Sequence, residues 1–330
     1  MPDRHRALEH FAHALVADSL YVRAWAGLAD AFLAYLTAHE QPSRRAWDAV
    51  AKVPGLRTTV SDPVTAEAHV LRSEMIRLAT EAAERAVALD STIADGFKSL
   101  ALVREFFWFD SVGAEEAYLR AIELQPGDAR FRREYAGYVM SLGRADEGLK
   151  QAERVVAMEP LSRRARQLEA WIRFYAGQQE RALREMNDIA DEYPSEASPL
   201  WGLAKFQIGI GEYEQAIGTL RRQMSMMGDN IADETALLGF LFGITGQIDS
   251  AHAAVERLDE LEAEGVYTSP TIRSWHFVGI GDFDEAFKWL DIAVEGRDPW
   301  VRGLRTNPAY EPLRSDSRYP ELLRRVGLSN

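Results

Sequence analysis

The sequence predicts an all-α fold, a right-handed superhelix of about seven helical hairpins followed by a C-terminal capping segment. Proline recurs every 34 residues, at Pro126, Pro160 and Pro194. Glycine recurs every 34 or 35 residues, and a small residue follows each glycine by five positions. Periods of this length are typical of stacked helix–turn–helix units. The glycines are Gly143, Gly177, Gly211, Gly246 and Gly281, and the small residues are Gly148, Ala182, Ala216, Ala251 and Ala286.

The repeat from Ala129 to Pro160 illustrates what one period encodes. Apolar residues at three-to-four spacing between Phe131 and Leu142 predict a first helix. Gly143 ends it, because glycine adopts the left-handed conformation that a helix C-terminus needs. A second apolar stripe runs from Leu149 to Val156. One such hairpin cannot bury its own apolar face, so stacked neighbours share their stability.

The N-terminal third departs from this period. Residues 6–17 are predicted as the second helix of one hairpin and residues 24–35 as the first helix of the next. Prolines and a glycine then interrupt the pattern, and we predict a short helix over 43–53 and a long helix from Pro63 to Leu89. The stretch 37–79 is therefore predicted as an irregular or elongated repeat. The alternative is a lid over one end of a groove.

The rest of the chain returns to helical hairpins. Residues 93–109 and 112–124 form one, and its turn is aromatic, around Trp108, where the others have glycine. Turn-forming proline pairs follow the last repeat, so residues 1–296 are predicted as the solenoid and 297–330 as its cap. The regular repeats are predicted to begin at Ala129, Arg163, Ala197, Ile231 and Tyr267.

Composition excludes several classes of protein. The net charge of −13 argues against binding to nucleic acid or to anionic membranes. There is no cysteine, which excludes disulfides and thiolate metal sites. No apolar run approaches the roughly 20 residues of a membrane helix. The N-terminal stretch 1–6 is basic without an apolar core, so it does not resemble a signal peptide. A cytoplasmic location is the simplest prediction.

The patterns of catalysis are missing from the sequence. It contains no phosphate-binding glycine loop and no nucleophile-elbow serine. His10 and His13 share a helix face and could hold a metal, but solvated surface histidines are the favoured interpretation. His276 is interpreted as a packing or groove residue. We therefore predict no enzyme, no cofactor and no metal site.

Several stretches carry a family resemblance. They are the repeats themselves, Gly281–Leu290, Asp298–Trp300, Pro312–Asp316 and Leu322–Arg325. In these residues the chain resembles the tetratricopeptide repeat family. More narrowly, it is similar to the repeat-rich C-terminal halves of bacterial multidomain regulators. There the repeats follow a winged-helix, protein kinase or adenylate cyclase domain. The resemblance implies sensing of a protein or ligand and supplies no catalytic residue.

In such repeats the first helices line a concave groove, and two rows of residues are predicted to face it. One row lies six residues before each turn glycine, and the other lies one helical turn earlier. The alternative is that individual members pack into neighbouring helices. The first row holds Gly137, Trp171, Lys205, Phe240 and Trp275, and the second holds Arg133, Gln167, Trp201, Ala236 and Thr271.

Charge is also uneven along the chain. Residues 130–184 carry twelve Lys and Arg against seven Asp and Glu, a local excess of five positive charges. This favours an acidic segment in the ligand, whereas solvated arginines on the outer face are the alternative. The predicted function is an interaction scaffold or sensor module that binds a partner peptide or protein in its groove. A small-molecule-sensing regulatory domain of a larger regulator is the alternative. The predicted ligand-binding residues are Arg130, Arg133, Arg164, Gln167, Trp171, Trp201, Lys205, Phe240 and Trp275.

Overall fold

The structure of the protein is a computed structural model that describes residues 4–38, 40–227, 231–264 and 266–328. These residues form seventeen α-helices and no strand, so the predicted all-α class is confirmed. Two stretches named in the sequence analysis extend beyond the described residues. Residues 1–3 of the N-terminal stretch and 329–330 of the predicted cap lie outside the described residues. The chain divides into two compact units, Met1–Phe131 and Arg132–Asn330.

The first unit contains six α-helices, of which α2 packs against α4 and α5 against α6 as two hairpins. The long helix begins at Ala68, five residues after the predicted start at Pro63, so that prediction was wrong. The backbone turns first, because the Asp62 side chain accepts a hydrogen bond from the Val64 amide. The helices are α1 Arg4–Ala17, α2 Val22–Ala38, α3 Arg44–Val50, α4 Ala68–Leu89, α5 Ala94–Val103 and α6 Ser111–Leu124.

The turn between α5 and α6 replaces glycine with an aromatic residue. A π-helical segment, Arg104–Trp108, extends α5. Phe109 then takes a left-handed conformation with φ of 54°. Asp110 caps α6 by accepting a hydrogen bond from the Gly113 amide at 2.9 Å. The aromatic turn predicted from the sequence thus has the backbone geometry that glycine provides elsewhere.

The second unit contains five helical hairpins. In each, the turn glycine has φ between 78° and 82°, which confirms its predicted role. Each small residue five positions later is buried, and at Gly148 an added Cβ would lie 2.9 Å from the Ala136 carbonyl oxygen. The hairpins are α7 Ala129–Ser141 with α8 Ala145–Met158, α9 Arg163–Tyr175 with α10 Gln179–Glu192, α11 Ser198–Gly209 with α12 Tyr213–Met227, α13 Ala232–Ile244 with α14 Ile248–Ala263, and α15 Pro270–Ile280 with α16 Phe283–Glu295.

The segment after α16 forms two 3₁₀ helices, Pro299–Gly303 and Pro308–Leu313, and a last α-helix, α17, Tyr319–Arg325. We call residues 297–328 the C-terminal strap. Its apolar side chains are buried, with Leu304, Tyr310 and Leu313 all at 0% exposure. The strap therefore contributes substantially to the core of the second unit.

The strap crosses the first helices of this unit instead of contacting only the last hairpin. The Arg305 guanidinium donates a hydrogen bond to the Leu142 carbonyl at the end of α7, at 2.9 Å. Pro308 lies beside Gly209 of α11. Arg318 then returns to α16, where it pairs with Asp284 at 2.7 Å. The division of the chain at residue 296 stays a prediction.

Candidate functional site

We define the first-helix face as the surface of α7, α9, α11, α13 and α15 that carries the two predicted rows. The strap occupies part of this face. Asp298 of the strap is buried against the N-terminus of α15, where it accepts hydrogen bonds from Ser269 Oγ and from the Thr271 amide. Tyr310 donates to the Thr271 carbonyl at 2.9 Å. These contacts fix the strap at the C-terminal end of the unit.

At the other end of the face, the strap explains why one row begins with glycine. Arg302 of the strap lies over α7, and a Cβ added at Gly137 would come within 3.5 Å of its guanidinium. A large aromatic side chain at position 137, as at Trp171, would displace Arg302. Arg133 stands one turn earlier on α7 and is 28% exposed at its side chain. Arginine side chains therefore line this end of the face.

The structure separates the aromatic members of the rows by their burial. Phe240 and Trp275 are each 1% exposed, so they pack within the unit in the described conformation. Trp171 and Trp201 are half-buried. Trp171 rests against Phe206 and Tyr175, with ring centroids 5.5 and 6.1 Å away, and part of its side chain is exposed.

Two polar residues of α9, Gln167 and Arg164, have side chains that are at least partly exposed to solvent. Gln167 is half-buried and accepts a hydrogen bond from Arg163 at 2.6 Å, beside Ser198. Arg164 is exposed, and among the described residues no carboxylate lies within ion-pair distance of it. The same helix also carries Trp171.

Lys205 lies in an aromatic cage. It is 5% exposed, and its Nζ is 5.0 Å from the centre of the Trp201 ring and 4.6 Å from that of Trp275. In the described part of the chain no acceptor lies within hydrogen-bond distance of Nζ and no carboxylate within 4.0 Å. Burial lowers the pKa of Lys205 to about 7. The indole faces favour the ammonium by about 2 kcal/mol, less than the several kcal/mol cost of burying an unpaired charge.

Asp233, in the first turn of α13, is the charged group that acts on Lys205. Burial raises the pKa of Asp233 to about 7, Glu234 adds to the rise, and Lys205 opposes it. The two groups perturb each other without forming an ion pair. Near pH 7 both therefore have a substantial uncharged fraction. The two rows that the sequence predicted to face the groove include Lys205, but nothing in the sequence indicated that Asp233 would act on it.

The local excess of positive charge over 130–184 is largely neutralised in the folded chain. Arg163 pairs with Glu196 at 3.3 Å and Arg166 with Glu192 at 2.6 Å. Both glutamates lie just beyond the stretch that was counted, which is why the sequence overestimated the free charge. Arg130 belongs to the first unit, where Asp128 and Asp95 lie 2.6 and 3.4 Å away. The acidic ligand segment stays a prediction, now supported on the first-helix face chiefly by Arg133 and Arg164.

The described residues carry neither a metal-binding cluster nor a helix suited to cross a membrane. They contain no group of three or more His, Asp or Glu side chains arranged to hold a metal ion. His276 is 2% exposed, and burial lowers its pKa to about 4. None of the described helices combines the length and the apolar character that crossing a membrane requires.

Comparison with known proteins places this arrangement in a fold class. No family model and no curated protein matches the chain. A tetratricopeptide repeat protein from Parabacteroides merdae has a solved structure that matches 84% of this chain and 99% of its own, with a TM-score of 0.56 and 13% identity. The chain has the tetratricopeptide-repeat fold.

Other tetratricopeptide-repeat structures match shorter parts of the chain. PilW, described as a widely conserved type IV pilus biogenesis factor, matches 64% of this chain and 92% of its own, with a TM-score of 0.49 and 18% identity. A thermophilic protein from Thermus thermophilus matches 60% of this chain and 100% of its own, with a TM-score of 0.43 and 20% identity. The similarity to the Parabacteroides merdae protein, at 13% identity, shows the tetratricopeptide-repeat fold alone. The closer likeness to regulator C-terminal halves stays a prediction.

Proposed function

We propose that the second unit is a scaffold that binds an extended segment of a partner protein on its first-helix face. One observation carries the proposal: this face already accepts an irregular segment of its own chain. The strap lies across α7, α11 and α15 and inserts Tyr310 at 0% exposure. A surface that binds one extended segment through side-chain pockets and backbone carbonyls has the chemistry to bind a second.

The partner segment would lie beside the strap, on α9 and α11. There the half-buried rings of Trp171 and Trp201 offer apolar anchoring area, and the half-buried Gln167 offers a polar contact on α9. Half-buried tryptophans suit this role, because their area is desolvated on binding at little cost in side-chain entropy. Phe240 and Trp275 are buried, so they would stabilise the face from within the unit.

Arg133 and Arg164 would contribute an electrostatic component. Among the described residues, the carboxylate that pairs with Arg133 is that of Glu134, at a long 3.8 Å. An acidic residue in the partner segment would pair with either arginine through charge-assisted hydrogen bonds. Because Arg164 is exposed, it would affect the association rate and its salt dependence more than the final affinity.

The test begins with capture of partners by the intact chain, followed by cross-linking and mass spectrometry to locate the contact. Trp171→Ala and Trp201→Ala should then weaken binding by about 2 kcal/mol each, which is roughly thirtyfold in Kd. Trp108→Ala is the matched control, because Trp108 is 48% exposed and lies in the first unit. Thermal melts of all variants separate loss of binding from loss of fold.

A second pair of variants tests the electrostatic component. Arg164→Glu should slow association and weaken its dependence on salt, whereas Arg222→Glu, on an exposed position of α12, should leave both unchanged. If both tryptophan variants bind normally while Arg222→Glu abolishes binding, the first-helix face is not the site.

A further inference from the structure

The chain contains five lysines, and one of them has surroundings unlike the rest. Lys52 and Lys150 are exposed to solvent. Lys98 pairs with Asp30, and Lys288 pairs with Glu285 at 2.6 Å, which raises the pKa of Lys288. Lys205 is buried, and no carboxylate in the part of the chain that the structure describes lies within ion-pair distance of it.

Burial of Lys205 outweighs the attraction between the indole faces and an ammonium, and it therefore favours a neutral amine with an available electron pair. No acceptor among the described residues lies within hydrogen-bond distance of Nζ, so no hydrogen bond within this part of the chain holds the amine in one orientation. The rings of Trp201 and Trp275 lie at 5.0 and 4.6 Å, and they exclude most of the water that would otherwise solvate an ammonium ion. A lysine desolvated in an apolar pocket is the setting in which proteins activate an amine as a nucleophile.

We propose that Lys205 is a covalent attachment site that forms an imine with the carbonyl group of an aldehyde or ketone. The carbonyl would be carried by a small molecule or by a modified partner. The neighbouring indole rings favour a flat, conjugated carbonyl compound, because such a compound stacks on aromatic rings. This site goes beyond the proposed peptide binding and does not depend on it.

The reaction balances without any other reactant. The electron pair of Lys205 Nζ attacks the carbonyl carbon, and the carbonyl oxygen takes up a proton to give a carbinolamine. The nitrogen then expels that oxygen as water, and a carbon–nitrogen double bond forms. One amine and one carbonyl thus give one imine and one water, with no net change in protons.

Asp233 can assist the loss of water. Its pKa, raised to about 7 chiefly by burial, leaves a fraction of its carboxyl groups protonated near neutral pH. A protonated carboxyl close to the carbinolamine is a proton donor for the departing oxygen. Glu234 and Asp298 also act on Asp233, and both raise its pKa. Asp233 therefore keeps a proton available near neutral pH.

The test labels the intact chain with pyridoxal, a flat aromatic aldehyde, near pH 7 and traps the imine with cyanoborohydride. Peptide mass spectrometry then reports the labelling rate at each of the five lysines. Lys205 should be labelled at least about tenfold faster than the exposed Lys52 and Lys150, because a larger fraction of its amine is unprotonated. Its rate should reach half its maximum near pH 7.

A second probe and two variants distinguish access of the aldehyde to Lys205 from the reactivity of its amine. Acetaldehyde, which is much smaller, repeats the measurement in case the cage excludes pyridoxal. Asp233→Asn should move the labelling profile of Lys205 to lower pH, because it removes a charge that raises the pKa of Lys205. Lys205→Met should lose the adduct and keep its helicity, because Met fills the buried site without a charge. Labelling of Lys205 no faster than that of Lys52 with both aldehydes would overturn the proposal, whatever the outcome of the partner-binding test.

Discussion

Two buried cations on neighbouring hairpins of the second unit have opposite surroundings. Arg173 of α9 is 2% exposed, yet it pairs with Glu169 and with Glu185, the latter at 3.0 Å, and it donates to Gln178 at 2.9 Å. Lys205 of α11 is 5% exposed and has two indole rings beside it and, in the part of the chain that the structure describes, no acceptor. The comparison shows that carboxylates and an amide hold Arg173 in place, whereas aromatic rings surround Lys205.

The side chains themselves account for this division. A guanidinium stays charged at all physiological pH, so it can be buried only with carboxylates and acceptors around its fork of donors. An ammonium can instead lose its proton, and burial then lowers its pKa. Exchanging the two residues would leave a charge without partners on α11 and an incomplete network on α9.

Removal of the strap should have the largest effect, both on the surroundings of Lys205 and on the stability of the chain. A chain truncated after Gly296 loses the segment Pro308–Leu313, which packs on α11 and α15, the helices that carry Lys205 and Trp275. It also exposes apolar surface that Leu304 and Leu313 cover, so we expect aggregation and a much lower melting temperature. Size-exclusion chromatography and thermal melts would measure both. A truncated chain as soluble and stable as the full one would contradict the structural role of the strap.

Removal of Arg173 from its ion-pair network should have the next largest effect on the free energy of unfolding. Arg173→Met leaves Glu169 and Glu185 facing a partly buried site without their cation, which should cost about 3 kcal/mol in the free energy of unfolding. The control is Arg181→Met, because Arg181 pairs with the same Glu185 but is 58% exposed, and it should cost about 0–1 kcal/mol. Urea unfolding would compare the two variants. Equal losses would show that burial of Arg173 is not what makes it structural.

The two hairpins should respond alike to overpacking at their helix–helix contacts, although the surroundings of their buried cations differ. Ala182 of α10 and Ala216 of α12 are both 0% exposed at helix–helix contacts. Replacing either by Leu should destabilise the chain by about 1–3 kcal/mol through overpacking. Denaturation midpoints would measure the loss. A midpoint unchanged in one variant would indicate that the two hairpins do not share the same packing register.

Sequence reasoning predicted the features that recur within one period. The five turn glycines and the small residues after them follow from backbone and packing limits that each hairpin meets alone. The partners of Arg173 are equally local, since they lie between Glu169 and Glu185. A count of charges over 130–184 nevertheless overestimated the free charge, because Glu192 and Glu196 lie outside it and pair across the hairpins.

Contacts between distant parts of the chain could not be predicted in the same way. Lys205 and Trp275 share one row of the repeat, but nothing in the spacing indicated that their side chains meet from helices two repeats apart. The strap contact between Arg305 and Leu142 spans 163 positions and has no periodic signal. Burial of Phe240 and Trp275 also depends on how the helices and strap pack together. These features require the three-dimensional arrangement.

The pH dependence of stability should give the smallest effect and the sharpest contrast between the two cations. The pKa of Lys205 is about 7 in the folded chain, against an ordinary value of 10.5. Between these values the unfolded chain holds a proton that the folded chain lacks, so Lys205 makes stability rise with pH through this window. Asp233 has a folded pKa of about 7 against 3.8, so it makes stability fall as pH rises from about 4 to 7, outside that window. Lys205→Met should therefore be less stabilised than the native chain, by about 1 kcal/mol, when pH is raised from about 7 to 8. Arg173→Met should keep the native pH dependence, because a guanidinium does not titrate there.

Urea unfolding of the native chain, Lys205→Met and Arg173→Met at both pH values measures the difference. Parallel curves for the native chain and Lys205→Met would show that Lys205 stays charged in its cage.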